Sequence, residues 1–81
     1  MQDADIIKII EKHSDTMSKG HKAIASYILE HYDSAAFITA SKLGDTVGVS
    51  ESTVVRFACA LGFDGYPELQ KNLQKLIKTR F

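Results

Sequence analysis

The densest chemistry in this chain of 81 residues lies between positions 50 and 56, where Ser50, Glu51, Ser52, Thr53 and Arg56 are interrupted only by Val54 and Val55. Three short hydroxyls, a carboxylate and a guanidinium are suited to hydrogen bonding along an edge rich in acceptors and anions. Short hydroxyls let an element come close to such an edge, and a guanidinium reaches further, to guanine O6 and N7 or to a phosphate. Duplex DNA presents that edge. On this reading Ser50 caps a helix and turns its first amides toward a phosphate. Of Ser52 and Thr53, one meets a base edge and the other a phosphate. Arg56, four residues beyond Ser52, reaches a guanine or the backbone alongside. Glu51 either accepts from cytosine N4 or points away. The plainer alternative is a solvated helix face with Arg56 in a surface ion pair, worth little.

Such a face needs one helix to carry it and another to hold that helix. The stretch from Thr39 to Phe63, TASKLGDTVGVSESTVVRFACALGF, meets the need. Its pattern predicts a helix from about Ala40 to Val47, capped by Thr39, and a second from about Glu51 to Leu61, capped by Ser50, with Gly62 just past its end. Gly48 between them is the residue type for a sharp turn with positive φ. Two helices crossing steeply at a short turn need a small residue where they meet and apolar residues around the turn. Gly44 is the small residue. Leu43, Val47 and Val49 surround the turn, and Val54, Phe57, Ala58 and Leu61 form the inward stripe of the second helix. This is a helix-turn-helix pattern, whose second helix enters the major groove while the first crosses the backbone. Thr39 and Lys42, at the start of the first helix, are then placed to meet that backbone.

The rest of the chain reads as helices packed around this unit. Residues 4–12 put Ile6, Ile9 and Ile10 on one face with Ile7 beside them, and Asp3 or Asp5 favours the dipole of the helix start. That apolar face is wide enough to pair with a second chain, or it simply covers the core. A polar break from His13 to Met17 follows. Ser18 caps a helix from Lys19 to about His31, with Ile24, Ala25, Ile28, Leu29 and Tyr32 inward. Lys19, His21 and Lys22 gather at its start, where they meet a phosphate or are merely solvated. Asp33 to Phe37 forms one helical turn or a short helix, with Phe37 and Ile38 anchored in the core. After Gly62 the aromatics Phe63 and Tyr66 fold back. Pro67 opens a last helix carrying Leu69, Leu73, Leu76 and Ile77 inward and Lys71, Lys75 and Lys78 on a basic edge. Nothing alternates with period two. The expected fold is all-α, a five- or six-helix bundle containing a helix-turn-helix, homeodomain-like or winged-helix-like without an evident wing.

Composition bounds the function classes. Eighty-one residues suit a single domain spanning 1–81, able to bury only roughly 60–65% of its unfolded surface. Apolar content of 44% with 25% charged residues is ordinary for a globular chain. Net charge is zero, which counts against strong nonspecific attraction to phosphates. The charge is polarised, acidic over residues 1–35 and basic over 62–81. The single cysteine, Cys59, excludes an intrachain disulfide and suits a reducing cytoplasm. No run of eighteen apolar residues and no basic-then-apolar leader is present, so neither a membrane span nor secretion is expected. His13, His21 and His31 lie eight and ten residues apart, not at the three or four of metal ligands on one helix face. There is no phosphate-cradling glycine loop and no nucleophile elbow. Neither catalysis, a cofactor nor a metal is expected. The rival to DNA binding is a helical protein–protein interaction module on the same scaffold. The neutral charge favours it, and the hydroxyl-rich, apolar-poor tip opposes it, because protein interfaces prefer aromatic, Met and Arg anchors.

The residues also carry a family resemblance. Ile24-Ala25-x-Tyr27-Ile28-Leu29, Phe37-x-Thr39-Ala40, Val49-Ser50-x-Ser52-Thr53-Val54-Val55-Arg56-Phe57 and Leu61-Gly62-Phe63-x-Gly65-Tyr66 resemble, in that order, the N-terminal domain of RpiR-family bacterial transcriptional regulators. The match runs from about Ile6 to Leu76, and the Leu-Gly-Phe-x-Gly-Tyr segment is not required of a generic helix-turn-helix. The resemblance implies a sequence-specific reader of a double-stranded DNA operator, and half-sites read by paired helix-turn-helix units call for a homodimer. It implies control of sugar or phosphosugar metabolism genes, with the phosphosugar effector bound by a sugar-isomerase-type domain not present in this chain. The sequence departs from the family at Ala58-Cys59-Ala60, where members commonly carry Arg or Lys, so positive charge beside the expected DNA backbone is reduced.

Overall fold

Isoleucines one turn apart begin the packing: in α1 (Ile6–His13), Ile6 and Ile10 are fully buried and Ile9 packs against them. The computed structural model describes residues 6–80, so the expected helix start at residue 4 and the roles of Asp3 and Asp5 lie outside it. Ile7 stays at the rim, half-buried. A short 3-10 turn, Ser14–Thr16, makes the polar break, and Met17 packs on the core behind it.

Five further helices follow: α2 (Lys19–Glu30), α3 (Tyr32–Ala35), α4 (Ala40–Val47), α5 (Glu51–Ala60) and α6 (Tyr66–Arg80). There is no strand among the described residues, and the all-α expectation holds. The helix starts follow side-chain chemistry. Ser18, Thr39 and Ser50 each accept from the backbone N–H three residues on, that of His21, Lys42 and Thr53. The end of α5 is closed by Gly62 at φ +100°, where its N–H donates to Cys59 O and that of Phe63 to Ala58 O. The helix thus stops one residue earlier than its apolar pattern suggests, with Leu61 as a buried cap.

One core joins all of these elements. Ile24, Ala25 and Ile28 of α2, Leu43 of α4, Val54, Phe57 and Ala58 of α5, and Leu69 and Leu73 of α6 close around Ile6 and Ile10. Phe63 and Tyr66 fold back onto it as expected. Pro67 is the second residue of α6 rather than the first, still within the turn where no N–H is needed.

Two side chains expected in this core are elsewhere. Leu29 is 38% exposed. It stands about 100° around α2 from Ile28, at the edge of the apolar arc, and lines an open depression with Ile10, Met17 and Ala25. Phe37 is 70% exposed, and Ala35 and Ala36 take the buried places instead. The cause is α6, which fastens the backbone between α3 and α4. The Tyr66 hydroxyl donates to the carbonyls of Ala35 (3.2 Å) and Ile38 (2.8 Å). Gln70 Nε2 donates to Ile38 O and Gln74 Nε2 to Ala36 O, both at 2.9 Å. Small residues let the segment lie close enough for these bonds, and the Phe37 ring is left outside.

Candidate nucleic-acid interface

The turn between α4 and α5 is set by two glycines. Gly48 adopts φ +84°, and the N–H groups of Gly48 and Val49 both donate to Gly44 O, at 2.8 and 2.9 Å. Gly44 is the crossing point. A Cβ there would stand 2.7 Å from Val49 O and 3.3 Å from Ser50, so the turn backbone rests directly on α4. Leu43, Val54 and Phe57 are buried behind it, with Val47 and Val49 packed alongside, as the spacing predicts.

A third element braces α5. The first turn of α2 lies against its tip: a Cβ on Gly20 would meet Val49 Cγ1 at 3.5 Å and the Thr53 methyl at 3.6 Å. One residue on, the His21 ring meets the Phe57 ring edge-to-face, with centroids 5.6 Å apart. The helix that bears the polar face is therefore held from two sides.

The predicted site residues fall into three groups. Ser50 and Thr53 are joined, because Ser50 Oγ accepts the Thr53 N–H at 3.1 Å and lies 2.9 Å from Thr53 Oγ1. Glu51, Ser52 and Arg56 are exposed and line one open depression of about 340 Å³. No ion pair holds Arg56 among the described residues. Thr39 and Lys42 form the third group, both exposed and joined through the cap of α4. They stand at the far end of that eight-residue helix from the turn, about 12 Å along its axis.

Three features escape a reading of spacing alone. Thr53 is half-buried, its hydroxyl engaged by Ser50 and its methyl seated over Gly20, whereas Ser52 is exposed. Ala58 belongs to the core, so within Ala58-Cys59-Ala60 only positions 59 and 60 offer a surface for charge. Val55, which the inward stripe of the second helix leaves out, shares the depression with Glu51, Ser52 and Arg56.

The described residues offer little else. No group of three or more His, Cys, Asp or Glu among them is placed to hold a metal ion, and no helix is long and apolar enough to cross a membrane.

Comparison with known proteins agrees with this geometry. Residues 4–80 match the family described as "Helix-turn-helix domain, rpiR family". The chain is 31% identical over 71 residues to the uncharacterized HTH-type transcriptional regulator YfhH of Escherichia coli, covering 88% of this chain and 25% of that protein. It is 32% identical over 75 residues to the HTH-type transcriptional regulator HexR of Pseudomonas aeruginosa, covering 93% of this chain and 26% of that protein. A third relative, the uncharacterized regulator TTE0211 of Caldanaerobacter subterraneus, is 27% identical over 66 residues, covering 82% and 23%. The chain thus spans about a quarter of the length of the curated relatives it matches. With the match running through both motif helices, the glycine turn and the closing Leu61-Gly62-Phe63 segment, this chain belongs to the rpiR family of helix-turn-helix domains.

Proposed function

We propose that this domain reads duplex DNA sequence-specifically for a bacterial transcriptional regulator, with α5 in the major groove. The observation that carries the reading is the tip of α5, an exposed polar face on a helix braced by both α4 and α2. A rigid support holds short side chains at a fixed distance from a groove. Ser50 directs the first amides of α5 to a phosphate, and the Ser50–Thr53 hydroxyl pair meets the same strand. Ser52 approaches a base edge, and Arg56 reaches a guanine or the adjoining backbone. Glu51 either takes a cytosine N4 or stands aside. Thr39 and Lys42 hold the backbone that α4 crosses.

Two such helices on one operator require two chains, and a homodimer is part of the proposal, with the rim of α1 at Ile7 as its candidate contact. Control of sugar or phosphosugar genes follows from the family resemblance, and the effector falls to parts of such a regulator other than this domain. Selection from a random duplex pool, followed by a salt titration of the winner, tests the reading. One to a few related sequences should emerge, and affinity should fall steeply with salt. An apolar protein-binding module would give no enriched sequence and no steep salt dependence.

A further inference from the structure

Val55 is the one large apolar side chain on the exposed face of α5 among the described residues. It keeps 38% of its surface open, while Val54 beside it is completely buried. Its companions in the open depression are Glu51, Ser52 and Arg56, of which Ser52 and Arg56 are proposed above to meet the DNA. Residues three and four apart on a helix are surface neighbours, so Val55 stands between Ser52 on one side and Cys59 on the other. Ser52 and Val55 are both short, and together they make a strip of close approach bounded by the longer Glu51 and Arg56.

The major groove presents one apolar group on its base edges, the C5 methyl of thymine. Thr53, the other methyl-bearing residue of the tip, has its methyl turned inward over Gly20 and its hydroxyl on Ser50. That leaves Val55 as the apolar surface at the tip. Building on the DNA-binding reading, we propose that Val55 is a specificity-determining residue that reads a thymine through its C5 methyl group. Ser52 and Arg56 supply the hydrogen bonds of the same readout, and Val55 the shape and apolar match.

Replacing thymine by uracil removes that methyl and leaves every hydrogen-bonding group in place. A duplex selected from a random pool by the wild-type chain is remade with each thymine changed in turn to uracil. For the wild type, one thymine in each half-site is expected to be methyl-sensitive, with binding weakened roughly fourfold, the value of one methyl withdrawn from water. Val55→Ala is expected to lose a similar factor on the thymine duplex and to bind the uracil and thymine duplexes equally. A wild type indifferent to uracil at every position overturns the proposal, and so does a Val55→Ala protein that keeps the full methyl sensitivity. The wild-type arm needs no variant, so the test stands whatever the stability of Val55→Ala. Failure to enrich any duplex is a different result, which would overturn the DNA-binding reading itself.

Discussion

At Gly44 an added methyl would press on the backbone of Val49 and Ser50, which cannot swing aside as a flexible side chain can. Gly44→Ala is therefore expected to cost about 1–3 kcal/mol despite the better helix propensity of alanine, because the turn must lift off α4. Gly20→Ala is the internal control. Its methyl would find ordinary contacts at 3.5 and 3.6 Å, so it should be neutral or gain up to about 1 kcal/mol. Urea denaturation of the two variants checks the pair, and equal destabilisation would show that the crossing has been placed wrongly. At this scale the need for a small residue at position 44 was legible, because two helices joined by a short turn must touch. The difference between Ser52 and Thr53 was not. Adjacent residues differ by 100° around a helix, and which of the two faced Gly20 depended on where α2 packs. The same applies to Ala58, which the family pattern marks as a place for charge and the core claims.

Between elements, α5 depends on its buried ring and α6 on its polar handles. Phe57 is 1% exposed and meets His21, so Phe57→Ala should cost about 3–5 kcal/mol by thermal or urea unfolding. Tyr66 is buried with its hydroxyl donated to two carbonyls of the α3–α4 segment, and Tyr66→Phe should cost about 1–2 kcal/mol. Burial first, and then the neighbouring Tyr27, push the Tyr66 phenol from its ordinary value of 10 up to about 12. Above pH 10 the unfolded phenol ionises while the folded one still holds its proton. The stability present below pH 10 is therefore lost as the pH rises through 12. Tyr66→Phe should abolish that alkaline loss, which unfolding at about pH 8 and about pH 11 would reveal. These bonds also explain what the sequence concealed. They join residues 28 to 38 positions apart and leave no local period, so Phe37 read as a core anchor when the backbone beside it was the part held. The boundaries of α2, α4 and α5 were legible within a residue or so, because their caps and glycines lie next to what they terminate, whereas α3 ends two residues before Phe37.

As a whole the domain measures 31 × 24 × 22 Å, comparable with the roughly 34 Å between successive major-groove segments on one side of a duplex. One copy can cover one half-site, and a two-fold operator calls for a second. Sedimentation of the full-length regulator should show dimers, and monomers alone at high concentration would remove the pairing. Zero net charge leaves specific contacts to carry much of the affinity, since little nonspecific attraction is available to support them. Arg56 is the one cation on α5, which makes its substitution the most direct measurement. Wild type and Arg56→Ala are compared on the selected duplex, and on single-base variants of it, across a salt series. If Arg56 reads a base, the substitution costs about 1–3 kcal/mol and relaxes preference at one position; if it holds a phosphate, affinity falls on every duplex and the salt slope shrinks by about one. An Arg56→Ala protein that binds the selected duplex as tightly as wild type at every salt concentration would contradict the placement of α5 in the groove.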